Sequence, residues 1–339
     1  MTAASSPSVM VGFAESLDLL LRLTPTVPWE RDAAQRPVGP RLSFEALYGA
    51  ARRVEGGPLA DGAARALLAR LRPGSRVLLT TGLVTPHIPC GETDGPPGTL
   101  ALARALILGL GVEASVLTES SVVPVLAEGV EALATSEGDG TDWRPRLHLQ
   151  AFPSDPAPAA GVVRRLFAGH RPAAVISIEK LGPNRRGVVH TMRGEDVTAH
   201  QARTDLLFPP AHRHGVLTIG IGDRGNEIGM GGLLMRTARC ACPCRGGIAC
   251  AVRARKPVVA FASNWGAHAV TAALAAYLGR PGLLHRPQSE ARMLRRIVRA
   301  GAVDGATRKR VPTVDGTGLA VQAALLALLR ALVASATRP

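Results

Sequence analysis

The chain has 339 residues and is 46% hydrophobic, which suits a large buried core in one or two domains and excludes a disordered chain. Its net charge is +14, but the Arg residues are scattered and aromatics make up only 3%, so the clustered, aromatic-laced stripe of a nucleic-acid binder is missing. We read no apolar run as long enough to span a membrane, and the N-terminus lacks the basic segment and cleavage site of a secretory signal, so a cytoplasmic protein with no membrane partner is expected.

Along the chain, residues 9–23 read as an amphipathic helix, and residues 1–75 as a helical segment packing on the core. Residues 76–339 read as an α/β catalytic domain. Apolar, β-branched runs predict strands over residues 76–81, 114–118, 147–152, 174–179, 216–221 and 257–263. Helical patterns fall between and after them, over residues 99–110, 122–134, 159–168, 232–235, 266–278, 289–300 and 318–334. This alternation predicts a mostly parallel sheet with helices on both faces, a Rossmann-like layered α/β fold. Ligands of such sheets sit beyond the carboxyl ends of the strands, so chemistry is sought there.

The first strand is followed by Gly91-Glu92-Thr93-Asp94-Gly95 and two prolines. Asp94 reads first as a helix N-cap, whereas Glu92 has no such reason to be there. Two carboxylates two residues apart can hold an amine or a metal, or move a proton. The fourth strand ends on Glu179, followed by His190 and by Arg193, a bidentate clamp for a carboxylate. His190 suits a proton shuttle near neutral pH, against the structural role of most lone histidines. The sixth strand leads to Ser263 and Asn264, and Asp315 lies in a turn near the C-terminus.

The fifth strand enters a loop with Gly220, Gly222, Asp223, Gly225, Asn226, Glu227 and Gly229. Gly220, Gly222 and Gly225 spell G-x-G-x-x-G, but a dinucleotide site also wants an acid about 20 residues on. No Asp or Glu occurs between Glu227 and Glu290, and only Arg236 or Arg239 could meet a 2′-phosphate. The acid-free stretch also holds Arg245, Arg253, Arg255, Lys256, Arg280 and Arg286, a field that would attract a small anion, or else a solvated basic surface. Cys240, Cys242 and Cys244 form C-x-C-x-C with Cys250 beyond, tighter than the paired C-x2-4-C of zinc sites. They read as reduced loop thiols, with a soft-metal cluster as the alternative.

The blocks GETDGPPG (91–98), SIEK-LGPN (177–184), HTMRGEDV (190–197), TDLLF (204–208), GIGDRGNEIGMG (220–231), GGIAC (246–250), SNWG (263–266), AVDG and TVDG occur in this order. Together they resemble the D-glutamate cyclase family from about residue 76 to the C-terminus. The resemblance implies conversion of D-glutamate to 5-oxo-D-proline with loss of water, a lyase of D-amino acid metabolism. On this reading Glu92, Asp94, Glu179, His190, Asp223 and Glu227 are candidate catalytic residues. Thr93, Gly95, Arg193, Gly222, Gly225, Asn226, Ser263, Asn264 and Asp315 are candidate substrate-binding residues. The base is Glu92 or Glu179. The γ-carboxyl is activated by His190, by Asp223 or by a divalent metal, and amides of the loop over 222–229 hold the oxyanion.

The expected partner is a small acidic molecule. No cofactor is assigned and no metal ligand, although a divalent ion suits the chemistry, and self-association is allowed. Two alternatives remain: a metal-dependent hydrolase or lyase on another small acid, and a non-catalytic binder of acidic metabolites.

Overall fold

The computed structural model describes residues 7–25, 44–137, 142–233, 240 and 242–337. In chain order the elements are α1 (Pro7–Leu21), α2 (Phe44–Glu55), α3 (Leu59–Arg70), β1 (Arg76–Thr80), α4 (Pro96–Leu110), β2 (Glu113–Thr118), α5 (Val123–Ser136), β3 (Leu147–Ala151), α6 (Pro156–Phe167), β4 (Ala174–Ile178), α7 (Phe208–Arg213), β5 (Leu217–Gly222), β6 (Lys256–Val259), α8 (Ser263–Tyr277), α9 (Pro287–Arg299) and α10 (Leu319–Ala336). The six strands form one sheet in the order β3-β2-β1-β4-β5-β6, and every neighbouring pair is parallel.

Parallel strands covered on both faces must be apolar throughout, and β4 is buried at all of its positions. Side chains then alternate between two cores. Val77 and Leu79 of β1 and Ala174, Ile176 and Ile178 of β4 face the larger core, with α1–α5 and α8–α10. Leu78 and Val175 face the smaller one, against Phe167 of α6 and Phe208 of α7. The helix boundaries are written locally. Pro96 and Pro97 open α4 with φ already set, and Gly111 closes it in the left-handed region at φ 67°. In α9, Met293, Leu294, Ile297 and Val298 are buried while the interleaved Arg residues face out.

The strand expectations hold within a few residues; the sixth strand stops at Val259, because residues from Ser263 on belong to α8. The short helix expected over residues 232–235 is a turn at Gly232 and Leu233, and its remainder lies outside the described residues, as do Arg236 and Arg239. The six-residue α7, with two prolines in its first turn, was not anticipated. Residues of α1–α3 share the larger core with the sheet, and Lys256 of β6 pairs with Glu55 of α2 at 2.6 Å.

One expectation needs correction. The eighteen residues of α10 have a mean hydropathy of 1.9, long and apolar enough to cross a membrane. In this fold Leu325, Leu326, Leu329 and Val333 of α10 are buried in the larger core, and Gln322 accepts a hydrogen bond from Trp265 of α8 at 2.9 Å.

Candidate active site

β1 and β4 are neighbours at the centre of the sheet, but the chain leaves them in opposite directions, toward β2 and toward β5. A crevice opens at such a reversal. Its floor is built by four segments. The loop after β1 is held by a parallel bridge to the C-terminal region, where Thr93 N–H donates to Val303 O at 3.0 Å and Val303 N–H to Gly91 O at 3.1 Å. This brings Glu92 beside the turn that carries Asp315. The other two segments are the ends of β4 and β5, which deliver Glu179 and Asp223. Glu179 sits at φ 46°, a backbone region that non-glycine residues pay to occupy, and Asp315 at φ 47°.

A cavity of about 120 Å³ is lined by Glu92, Glu179, Asp223 and Asp315 together with Arg193 and Arg224. That is well under the roughly 300–1,000 Å³ of pockets for drug-sized ligands, and so suits a small metabolite rather than a dinucleotide. Asn226 also lines it. The acids are buried at this end and Arg193 lies at the exposed hairpin over 190–196. Arg193 makes no side-chain hydrogen bond or ion pair among the described residues, and burial beside Arg308 lowers its pKa.

Crowding of carboxyls in a dry site disfavours their ionised forms. Burial, then Asp315 and Asp94, hold Glu92 well above the usual carboxylate range. Burial, then Glu227 and Glu92, do the same to Glu179. Asp223 is raised by burial and by Glu179, against the pull of Arg224, whose Nε lies 2.9 Å from Asp223 Oδ2. Asp315 is raised by burial, and Arg224 Nη2 lies 3.7 Å from its Oδ2. Burial and mutual repulsion thus favour the protonated forms of these carboxyls. Glu92 Oε1, Asp223 Oδ1 and Asn226 Oδ1 are buried without a hydrogen-bond partner. Buried polar atoms are rarely left unpaired, so these three are oriented for a ligand.

Several expected site residues lie behind the cavity wall. Asp94 is an N-cap, but of α8 rather than of the helix it precedes. It accepts from Ser263 N–H at 2.7 Å, Asn264 N–H at 2.8 Å and Gly95 N–H at 3.0 Å. Asn264 returns the service to α4, accepting from Gly95 and Gly98 N–H at 2.9 and 2.8 Å. Its Nδ2 donates to Thr93 O at 3.0 Å. Two helix N-termini on the same face of the sheet thus cap each other. Even against these three N–H donors, burial and Asp315 push Asp94 up to about 8. Ser263 Oγ donates to Glu179 Oε2 at 2.5 Å and fixes its rotamer.

Glu227 also faces inward to the loop, accepting from Arg224 N–H at 3.0 Å and Gly225 N–H at 2.8 Å. Ile228 and Gly229 N–H donate to Lys180 O and Val252 O. These four amides are consumed within the chain and are not free to hold an oxyanion. Gly222 and Gly225 likewise stay off the cavity. The first glycine of the G-x-G-x-x-G pattern also serves the fold: a Cβ on Gly220 would stand 2.5 Å from Gly229 Cα, so both must be glycine for the loop to fold back over β5. No dinucleotide turn forms there.

His190 is a further correction. Its Nε2 lies 3.0 Å from Cys242 Sγ, away from the acids, and only its backbone O, accepting from Asn226 Nδ2 at 2.9 Å, abuts the site. The described basic residues of the acid-free stretch do not line the cavity; Arg286, for example, lies 3.4 Å from Glu137. Arg224, Arg308, Thr191 and Glu195 do line it, and sequence reasoning assigned none of them a role. Arg224 adjoins an expected site residue and could have been found that way. Arg308 pairs with Glu195 at 3.2 Å across more than a hundred residues, which no local signal reveals.

Comparison with known proteins gives the family. A family model described as D-glutamate cyclase-like, C-terminal, matches residues 30–330, so the similarity begins within the N-terminal helical segment rather than at residue 76. A human protein named D-glutamate cyclase, mitochondrial, is 32% identical over 203 residues, which cover 58% of this chain and 32% of that protein. The matched region thus spans about a third of that relative's length. Matched over most of its length, the chain belongs to the D-glutamate cyclase-like C-terminal family.

Proposed function

We propose that the cavity closes D-glutamate on itself, giving 5-oxo-D-proline and water. The observation that carries this reading is the meeting, in one small cavity, of buried carboxyls whose pKa values are raised by burial and mutual repulsion, and of Arg193, which has no side-chain partner among the described residues. The name of the human relative supports the same reaction.

The α-carboxylate of the substrate docks on Arg193, and the α-ammonium faces the acids. For attack, the nitrogen must lose a proton and the γ-carboxyl must lose its negative charge. Glu92 or Glu179, when ionised, accepts the proton from nitrogen. Asp223, whose protonated form is favoured by burial and by Glu179, gives a proton to the γ-carboxyl oxygen that leaves as water. The amine adds to the γ-carbonyl carbon, its second proton passes through the same carboxyls to the departing hydroxyl, and the C–O bond breaks with release of water; two protons leave nitrogen and two reach that oxygen, so the net proton count of the site is unchanged. Arg224 moderates this transfer by holding Asp223 Oδ2.

A second reading follows from the same carboxyls. Asp94, Asp223 and Asp315, and separately Glu179, Asp223 and Glu227, bring one oxygen each within 4.8 Å of one another. Such oxygen sets suit a hard divalent cation, which would polarise the γ-carboxyl in place of the proton.

Incubation of the purified protein with D- and L-glutamate, with and without a chelator, separates these readings. The proton-based account expects pyrrolidone from the D-enantiomer alone, with chelator having no effect. Loss of product on chelation favours the metal-dependent reading. A rise in melting temperature with glutamate but no product would make the protein a binder and overturn the proposal.

A further inference from the structure

At the base of the hairpin over 190–196, beside cavity-lining Asn226, four soft ligands converge. His190 Nε2 lies 3.0 Å from Cys242 Sγ and 3.7 Å from Cys244 Sγ. Cys240 Sγ lies 3.4 Å from Cys244 Sγ and 3.5 Å from Cys242 Sγ. All four ligand atoms fall within 4.8 Å of one another. We propose that this cluster is a tetrahedral zinc site, with Cys240, Cys242, Cys244 and His190 as ligands.

The separations decide between the readings of these thiols. Ligand atoms about 2.0–2.3 Å from a tetrahedral zinc stand roughly 3.5–3.8 Å apart. The distances here are at or slightly inside that spacing. They are far outside the ~2.05 Å of a disulfide, and the cysteines are free. No carboxylate joins the set, and three sulfurs with one imidazole select a soft or borderline ion over magnesium or calcium. The ring of His190 is fully buried while the thiols are half-buried, so the histidine is fixed and the loop closes on it.

The surroundings supply donors to sulfur, as ligating thiolates require. Gly246 N–H donates to Cys244 Sγ at 3.3 Å, and Asn184 Nδ2 lies 3.5 Å from the same sulfur. Asn184 Nδ2 also lies 3.5 Å from His190 Nδ1, at the limit of a hydrogen bond, which leaves the ring tautomer unfixed.

The C-x-C-x-C spacing is tight for a site built from one loop alone. It becomes workable because the fourth ligand comes from a different loop, some fifty residues earlier. The ion would therefore staple the long connection between β5 and β6 to the hairpin that carries Arg193 and Glu195, both of which line the cavity. Binding would displace three thiol protons, so affinity rises with pH.

The test is made on full-length protein purified without chelator. Elemental analysis is expected to give about one zinc per chain, released stoichiometrically by a mercurial thiol reagent. Exchange for cobalt(II) should produce thiolate-to-metal charge transfer and the intense visible bands of tetrahedral cobalt. Cys242→Ser and His190→Ala should lose the zinc and the charge-transfer band, while Cys250→Ser and Cys90→Ser keep both. Absence of zinc together with absence of the cobalt–thiolate band in the unmutated protein overturns the proposal without reliance on any variant. So does full zinc retention in both ligand variants.

Discussion

Glu92→Gln and Glu179→Gln are each expected to cut turnover of D-glutamate, and at least one of them by roughly 10²–10⁴-fold, the usual contribution of a positioned general acid or base. The amide keeps the shape of the side chain but can neither accept the proton from nitrogen nor pass it on. The two positions differ in their surroundings. Glu179 Oε2 already accepts from Ser263, and a glutamine there keeps that bond through its carbonyl oxygen. Glu92 Oε1 has no partner, so it is the freer of the two to meet substrate. The residue that acts as base should lose kcat with little change in KM, whereas Arg193→Ala should raise KM, because a clamp on the α-carboxylate contributes mainly to binding. Steady-state rates on the three variants decide this. Full activity in both glutamine variants would remove the two glutamates from catalysis.

The same carboxyls should make the protein less stable as the solution turns alkaline. An acid whose folded pKa is raised holds a proton that the unfolded chain has released. Its favourable contribution is complete below about pH 4 and disappears as pH climbs through the folded value. For Asp94 that value is about 8, and Glu92, Glu179 and Asp223 are displaced in the same direction by burial and mutual repulsion. Histidines act oppositely: burial lowers His212 and His285, so their contribution grows with pH up to about 6.5 and is then constant. Between pH 6.5 and 8 the carboxyls therefore dominate. Unfolding free energy should fall there by ~1.4 kcal/mol per pH unit for each extra proton held by the native state. Glu92→Gln removes one such group, and should both raise the melting temperature at pH 8 and flatten its pH dependence. Urea or thermal melts at the two pH values check the slope. Equal slopes for the two proteins, or stability rising with pH in this window, would contradict the buried-acid account. An active site that is destabilising when charged is the familiar exchange of stability for function.

Much of the framework was legible because its signals are local. The apolar runs of β4 and β5 have period and length that only buried strands need, and Glu179 and Asp223 follow from where those runs stop. The convergence of Glu92, Glu179, Arg193 and Asp223 on one cavity was expected from strand-end topology, and they do share it. What escaped reading is long-range. Asp94 and Asn264 are 170 residues apart, so each looks like a cap for its own helix until the fold shows them exchanged. His190 carries no local sign that its partners are thiols some fifty residues on. The glycine fingerprint misled because close approach of two backbone segments, Gly220 over Gly229, demands the same residue type as close approach of a phosphate. In α10, composition alone matches a membrane span, and only its packed face of Leu325, Leu329 and Val333 shows it contributing to the core.

The central claim is that one small amino-dicarboxylic acid occupies the cavity at the reversal between β1 and β4. A crystal structure of the protein soaked with 5-oxo-D-proline tests it most directly. The account predicts a single ring in that cavity, its carboxylate on Arg193 and its lactam nitrogen within hydrogen-bond reach of Glu92 or Glu179. Ligand density confined to another region of the surface, with these side chains untouched at saturating concentration, would contradict it.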